Sequence, residues 1–213
     1  MQALERVILS ENFITIIFVF ALALLAMLKS LNSKRLKGVV FAVFNTNFVE
    51  KEAEDNDSFF SAFNLILFVF STITLSLVLY KLLFLFEFHS NSGFLFFLKI
   101  FVFVIGYFSL KWFFEFLIKA LFFVKSETSF FSIAKSRYLY SISFGFLCLL
   151  LLTIYANLSP IFLLYGSILL LIIRFVAIVL NNKNLIISKL FYFILYLCAL
   201  EIAPLFILFK LMF

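Results

Sequence analysis

Residues 190–209 read LFYFILYLCALEIAPLFILF: twenty residues, long enough to cross a bilayer, with Glu201 the one charge in them. No soluble domain needs such a run, and the carboxylate inside it costs roughly 2.5–3.5 kcal/mol near the centre of a spanning helix unless neutralised, paired or hydrated. Three residues on, Pro204 removes the backbone donor that the carbonyl of Leu200 would accept, which leaves that carbonyl free beside Glu201. Helix geometry puts Glu201 on one face with Ile194, Leu197, Cys198, Leu205 and Leu208, so a partner for it has to come from another helix.

The rest of the chain has the same character. Of 213 residues, 66% are apolar and 13% charged, more hydrocarbon than a soluble domain of this size can cover with polar surface. Five further apolar runs approach the spanning length: 13–28, 59–80, 94–110, 138–156 and 161–180. The expectation is an all-α, polytopic integral membrane helix bundle of about six transmembrane helices with short loops, forming one domain over residues 1–213. Residues 1–12 carry Glu5, Arg6 and Glu11 and lack the basic start of a signal peptide, so the first run reads as a retained span. The turn at 157–160, Asn-Leu-Ser-Pro, makes the fourth and fifth helices antiparallel neighbours.

Lys and Arg alternate between loops. Lys29, Lys34, Arg35, Lys37 and Lys51 lie in the first, Lys111, Lys119, Lys125, Lys135 and Arg137 in the third, and Lys183 and Lys189 in the fifth. Basic loops are retained in the cytoplasm, so both termini are expected outside it. In the first loop, Phe41, Phe44 and Phe48 would share one face of a helix lying on anionic headgroups or docking a cytoplasmic partner, and the acidic run 50–57 reads as a solvated linker. Lys111, Glu115 and Lys119 recur every four residues, the pattern of an interfacial helix after the third span, and Ser126 to Ser129 offer capping hydroxyls before the fourth.

Inside the spans, Arg174 and Lys99 lie close enough to the ends to snorkel. Glu201 is roughly 13 Å from Lys210, and Lys99 roughly 8 Å from the start of its span. A Lys99–Glu201 pair is therefore feasible, with Arg174 less well matched in depth. Asn64, Ser71 and Thr74 form a narrow polar strip on the second span that should face other helices or a small wet cavity. These seven residues, Glu201, Lys99, Pro204, Arg174, Asn64, Ser71 and Thr74, make up the candidate intramembrane site. Gly106, Gly145 and Gly166 offer points of close approach between helices.

Cys148 and Cys198 lie in separate apolar runs and His89 stands alone in a polar turn, a pattern that suggests no metal, cofactor or catalytic dyad. The expected partners are membrane lipids and a membrane-protein partner or a second copy, with no nucleic acid, because the basic residues flank spans and form no recognition module.

The segment 185–204, LIISKLFYFILYLCALEIAP, resembles a family of small multi-pass membrane proteins of the Bacteroidota classed as a domain of unknown function. The likeness runs through most of the chain and is most specific at Lys189, Tyr192, Phe193, Tyr196, Glu201 and Pro204. It implies an inner-membrane protein of a two-membrane cell and supplies no activity, cofactor or catalytic residue. The expected function is a non-enzymatic subunit or assembly factor of an inner-membrane envelope complex. The alternative is a proton- or ion-coupled transporter of small molecules or lipids centred on Glu201. A third reading, an enzyme on a lipid-linked substrate, would use Arg137, Tyr138, Tyr140, Lys183 and Lys189 at the cytoplasmic side.

Overall fold

The structure, a computed structural model, describes residues 12–54, 61–85, 93–122, 125–156 and 158–181. Within them the chain is all-α, in seven helices: α1 Asn12–Leu31, α2 Ser33–Val40, α3 Thr46–Glu54, α4 Ala62–Leu85, α5 Phe94–Phe122, α6 Lys125–Tyr155 and α7 Pro160–Asn181. Five contain stretches long and apolar enough to cross a membrane: Phe13–Leu31, Ala62–Leu85, Phe94–Lys111, Ile133–Tyr155 and Ile161–Leu180. The sixth expected run, 190–209, lies outside the described residues, as do Glu201, Pro204, Cys198, Lys183, Lys189 and His89.

Helix α4 is the centre of the bundle and packs against α1, α5, α6 and α7. Its buried Phe70, Ile73 and Leu77 meet Phe18 of α1, Val104 of α5 and Phe146 of α6 in the main core. These side chains are held by close van der Waals packing, and the hydroxyls of Ser71, Thr72, Thr74 and Ser76 buried among them donate to carbonyls of α4 itself. At one end the rings of Phe13, Tyr80 and Phe97 lie edge to face or tilted, 5.8–6.5 Å apart, and tie α1, α4 and α5 together. At the other end the two lysine-rich connections meet, since α2 and α3 both pack on α6.

Pro160 opens α7, where its fixed φ suits the first helical turn and its missing N–H is no loss. The tight connection brings α6 and α7 side by side. A Cβ at Gly145 would lie 3.1 Å from Leu170, and one at Gly166 2.8 Å from Leu149, so each glycine admits a leucine from the facing helix. Gly106 has open space around it and is not a point of close approach among the described residues.

Three local expectations change. The third span and the supposed interfacial helix are one helix, α5, because nothing between Tyr107 and Phe122 breaks it and the i,i+4 charges favour its continuation. The fourth helix starts at Lys125, so 126–129 lie inside α6 and do not precede it. The first loop holds two helices. Its chain turns at 41–44, with Asn32 accepting from the Arg35 N–H (3.0 Å) to cap α2 and Asn45 accepting from the Phe48 N–H (3.3 Å) to cap α3.

That turn separates the three phenylalanines. Phe41 and Phe44 are exposed, whereas Phe48 folds inward across Gly38, and a Cβ at Gly38 would fall within the contact radius of its ring. Gly38→Ala is therefore expected to push the ring out and cost about 1–3 kcal/mol. Gly106→Ala, which meets nothing, should be neutral or stabilise by up to about 1 kcal/mol through helix propensity. Thermal unfolding of the two variants in detergent checks the contrast.

Candidate functional site

Four elements bring one polar side chain each to the lysine-rich end: Arg35 from α2, Glu52 from α3, Asn64 from α4 and Arg137 from α6. Arg35 is presented beside Val39, which packs on Leu28, Phe63, Leu67 and Tyr140. Glu52 follows Val49 on α3, and Val49 packs on Ala42, Ala134, Tyr138 and Ile178. These two apolar clusters set α2 and α3 against the bundle and carry the charged heads inward.

The four side chains close a ring. Arg35 Nε donates to Glu52 Oε1. Arg137 Nε forms an ion pair with Glu52 Oε2 at 2.5 Å, and among the described residues that oxygen accepts no aligned hydrogen bond. On the other side Asn64 Oδ1 accepts from Arg137 Nη1 at 3.0 Å and from Arg35 Nη2 at 3.4 Å. Each guanidinium thus spans a carboxylate oxygen and the amide oxygen, a use of its planar fork that lysine cannot copy. Arg35 also lies over the Phe63 ring, 4.7 Å from its centroid, and Arg137 lies 5.9 Å from that of Tyr140.

Burial raises the stakes of this arrangement. The side chains of Glu52 and Arg137 are 8% and 7% exposed. A buried ion pair adds little net stability over apolar packing, yet removing one member is expensive, because the other then stays dry and uncompensated. Chemically the ring is a clamp: its carboxylate and its amide oxygen are both occupied by guanidinium donors. Among the described residues no three His, Cys, Asp or Glu side chains gather where they could hold a metal.

The expected site residues go to different places. Asn64 is in the ring. Ser71 and Thr74 are fully buried two and three turns along α4, and their hydroxyls donate to the carbonyls of Phe68 (2.8 Å) and Ser71 (2.9 Å) of the same helix. Ser76 and Thr72 do likewise, so this strip is satisfied within α4. Lys99 is exposed on α5 near Phe97, which packs on Tyr80, whereas Asn64 is at the other end of α4, roughly 24 Å away along its axis. Arg174 is half-buried on α7. The structure does not bring Asn64 and Lys99 together, and Glu201 and Pro204 lie outside the described residues.

Arg35 and Glu52 were not among the expected site residues. The acidic run is not wholly a solvated linker, since Glu52 is buried while Glu50 is exposed. One signal was available: the chain has 13 Lys and only 4 Arg, and Arg35 and Arg137 are the single arginines of their loops. Where lysine is the default surface cation, an arginine marks a demand for bidentate geometry. Asn64→Leu, which keeps the volume and removes the shared acceptor, is expected to lower stability by about 1.5–3 kcal/mol in a denaturation measurement, and Asn64→Asp to retain most of it.

The model of a family described as Domain of unknown function (DUF4271) matches residues 14–212. The chain belongs to that family. The DUF4271 match takes in all four ring residues as well as the run containing Glu201. No curated protein and no solved structure matches the chain.

Proposed function

We propose that this DUF4271 protein is a non-enzymatic subunit or assembly factor of an envelope complex in the inner membrane of the Bacteroidota. It crosses the membrane several times with both termini in the periplasm, and binds a membrane-protein partner or a second copy of itself. The observation that carries this reading is the Arg35–Glu52–Arg137–Asn64 ring, which ties the first loop to α4 and α6 through two ion pairs to Glu52 and a shared Asn64 oxygen. A fixed loop surface suits a docking or holding element better than a turnover site. The hydroxyls of α4 support it too, because each donates to a carbonyl of its own helix.

The residues of the enzymatic reading weigh the same way. Arg137 is engaged in the ring, and Tyr138 and Tyr140 are buried in packing between helices. In-cell crosslinking followed by purification in mild detergent should recover a stable partner or a homo-oligomer. A monodisperse monomer without crosslinked species would contradict the proposal. Glu201→Gln run alongside separates the transporter alternative: lost ion-dependent flux with normal abundance and no partner would replace the subunit reading.

A further inference from the structure

The first loop reaches deeper than a surface loop. On α6, Ser141 lies one turn beyond Arg137, roughly 6 Å further along the helix from the ion-pair level. Ser141 Oγ donates to the carbonyl of Val40 at 2.6 Å, so the end of α2 sits at that depth. Ala42 packs in one cluster with Ile178, which belongs to the apolar run Ile161–Leu180 of α7, and Val43 packs against the main core. The turn at 41–44 is therefore level with the first turns of the spanning stretches, and α3 leads back from it to Glu52 at the ion-pair level.

Most backbone N–H groups of the turn are satisfied inside the protein. The N–H groups of Phe41, Ala42, Phe44 and Asn45 donate to the carbonyls of Lys37, Val39, Phe41 and Ala42 at 2.9–3.4 Å, and Ser141 serves Val40. Non-helical backbone is tolerated at membrane depth only where the protein satisfies it. At the same depth Phe41 and Phe44 are 60% and 81% exposed, a heavy cost for two phenylalanines facing water and none for two facing hydrocarbon. Lys29, Lys34 and Lys37 are exposed at the same end, where basic side chains attract anionic lipid.

We propose that α2, the 41–44 turn and α3 form a re-entrant hairpin that seats Phe41 and Phe44 among the acyl chains of the leaflet at the lysine-rich end, while Lys29, Lys34 and Lys37 hold anionic phospholipid headgroups around it. This rests on the membrane reading above and adds a lipid-binding surface to it. The occupant is lipid because the exposed rings lie at hydrocarbon depth and the exposed cations lie beside them.

Phe44→Trp, in a chain whose one tryptophan is removed by Trp112→Phe, is placed in nanodiscs of phosphatidylethanolamine and phosphatidylglycerol, with bromine on the acyl chains of one lipid at a time. Phe175→Trp, on the exposed face of α7, serves as the control. The proposal predicts quenching of the Phe44→Trp signal by acyl bromine and little by aqueous acrylamide. It also predicts stronger quenching at equal mole fraction from brominated phosphatidylglycerol, a preference that Lys29→Gln, Lys34→Gln and Lys37→Gln together lower about fivefold or more. Acrylamide quenching without bromine quenching at position 44 overturns the hairpin, and equal quenching by the two lipids overturns the headgroup site. An unquenched Phe175→Trp control would instead bring down the membrane reading beneath both.

Discussion

Glu52→Gln is expected to release the first loop from the bundle. The substitution keeps an oxygen for Arg35 but turns an N–H₂ group toward Arg137 Nε, which is itself a donor, and it leaves two guanidiniums close together in a dry site. Breaking a buried pair in this way costs about 3–5 kcal/mol. The loss should be local. Helix α3 is nine residues long and has little stability by itself, while the main core is built almost entirely from α1, α4, α5, α6 and α7. Limited proteolysis is the measurement: new cleavage within 41–54 is expected, with the thermal unfolding of the remaining bundle lowered much less.

Arg137→Met carries the second large effect, about 3 kcal/mol, since it removes the ion pair to Glu52 and the hydrogen bond to Asn64 in one step. Methionine replaces the aliphatic stem, so packing beside Tyr140 is largely kept. Arg137→Lys should recover only part of the loss, because an ammonium cannot reach a carboxylate oxygen and an amide oxygen together from one rigid plane. Combining Glu52→Gln with Arg137→Met should cost less than the sum of the two, with a coupling of about 0.5–3 kcal/mol when opening of the first loop is read by native-state proteolysis. Strict additivity would mean that the pair contributes nothing as a pair.

The apolar runs made the bundle legible, because spanning length and hydropathy are properties of single segments. Pro160 and its turn gave the α6–α7 neighbourhood for the same local reason. Helix ends were harder. The charges at Lys111, Glu115 and Lys119 read as the mark of a separate interfacial helix, yet they continue α5, because a polar pattern without a breaker changes a helix's surroundings and not its backbone. The ring was the least legible feature. Its members are separated by 17 residues (Arg35 and Glu52) and by 73 (Asn64 and Arg137), and Glu52 looks like its solvated neighbours until α3 is folded against α6. Asn64 stands out in the polar strip on α4, but its role depends on two arginines from other elements: loop counting uses Arg35 only for orientation, and Arg137 otherwise enters only the enzymatic reading.

If the ring pins the first loop, Val49 on α3 stays shielded for as long as the ring is closed. Val49 is 1% exposed beneath the loop, three residues before Glu52, and Asn47 on the same helix is exposed. In a chain with Cys148 and Cys198 replaced by Ser, Val49→Cys and Asn47→Cys are labelled separately with a maleimide in detergent. A pinned loop gives slow labelling at position 49 and fast labelling at 47, with position 49 becoming fast once Glu52→Gln is added. Equally fast labelling at both positions while the ring is intact would contradict it.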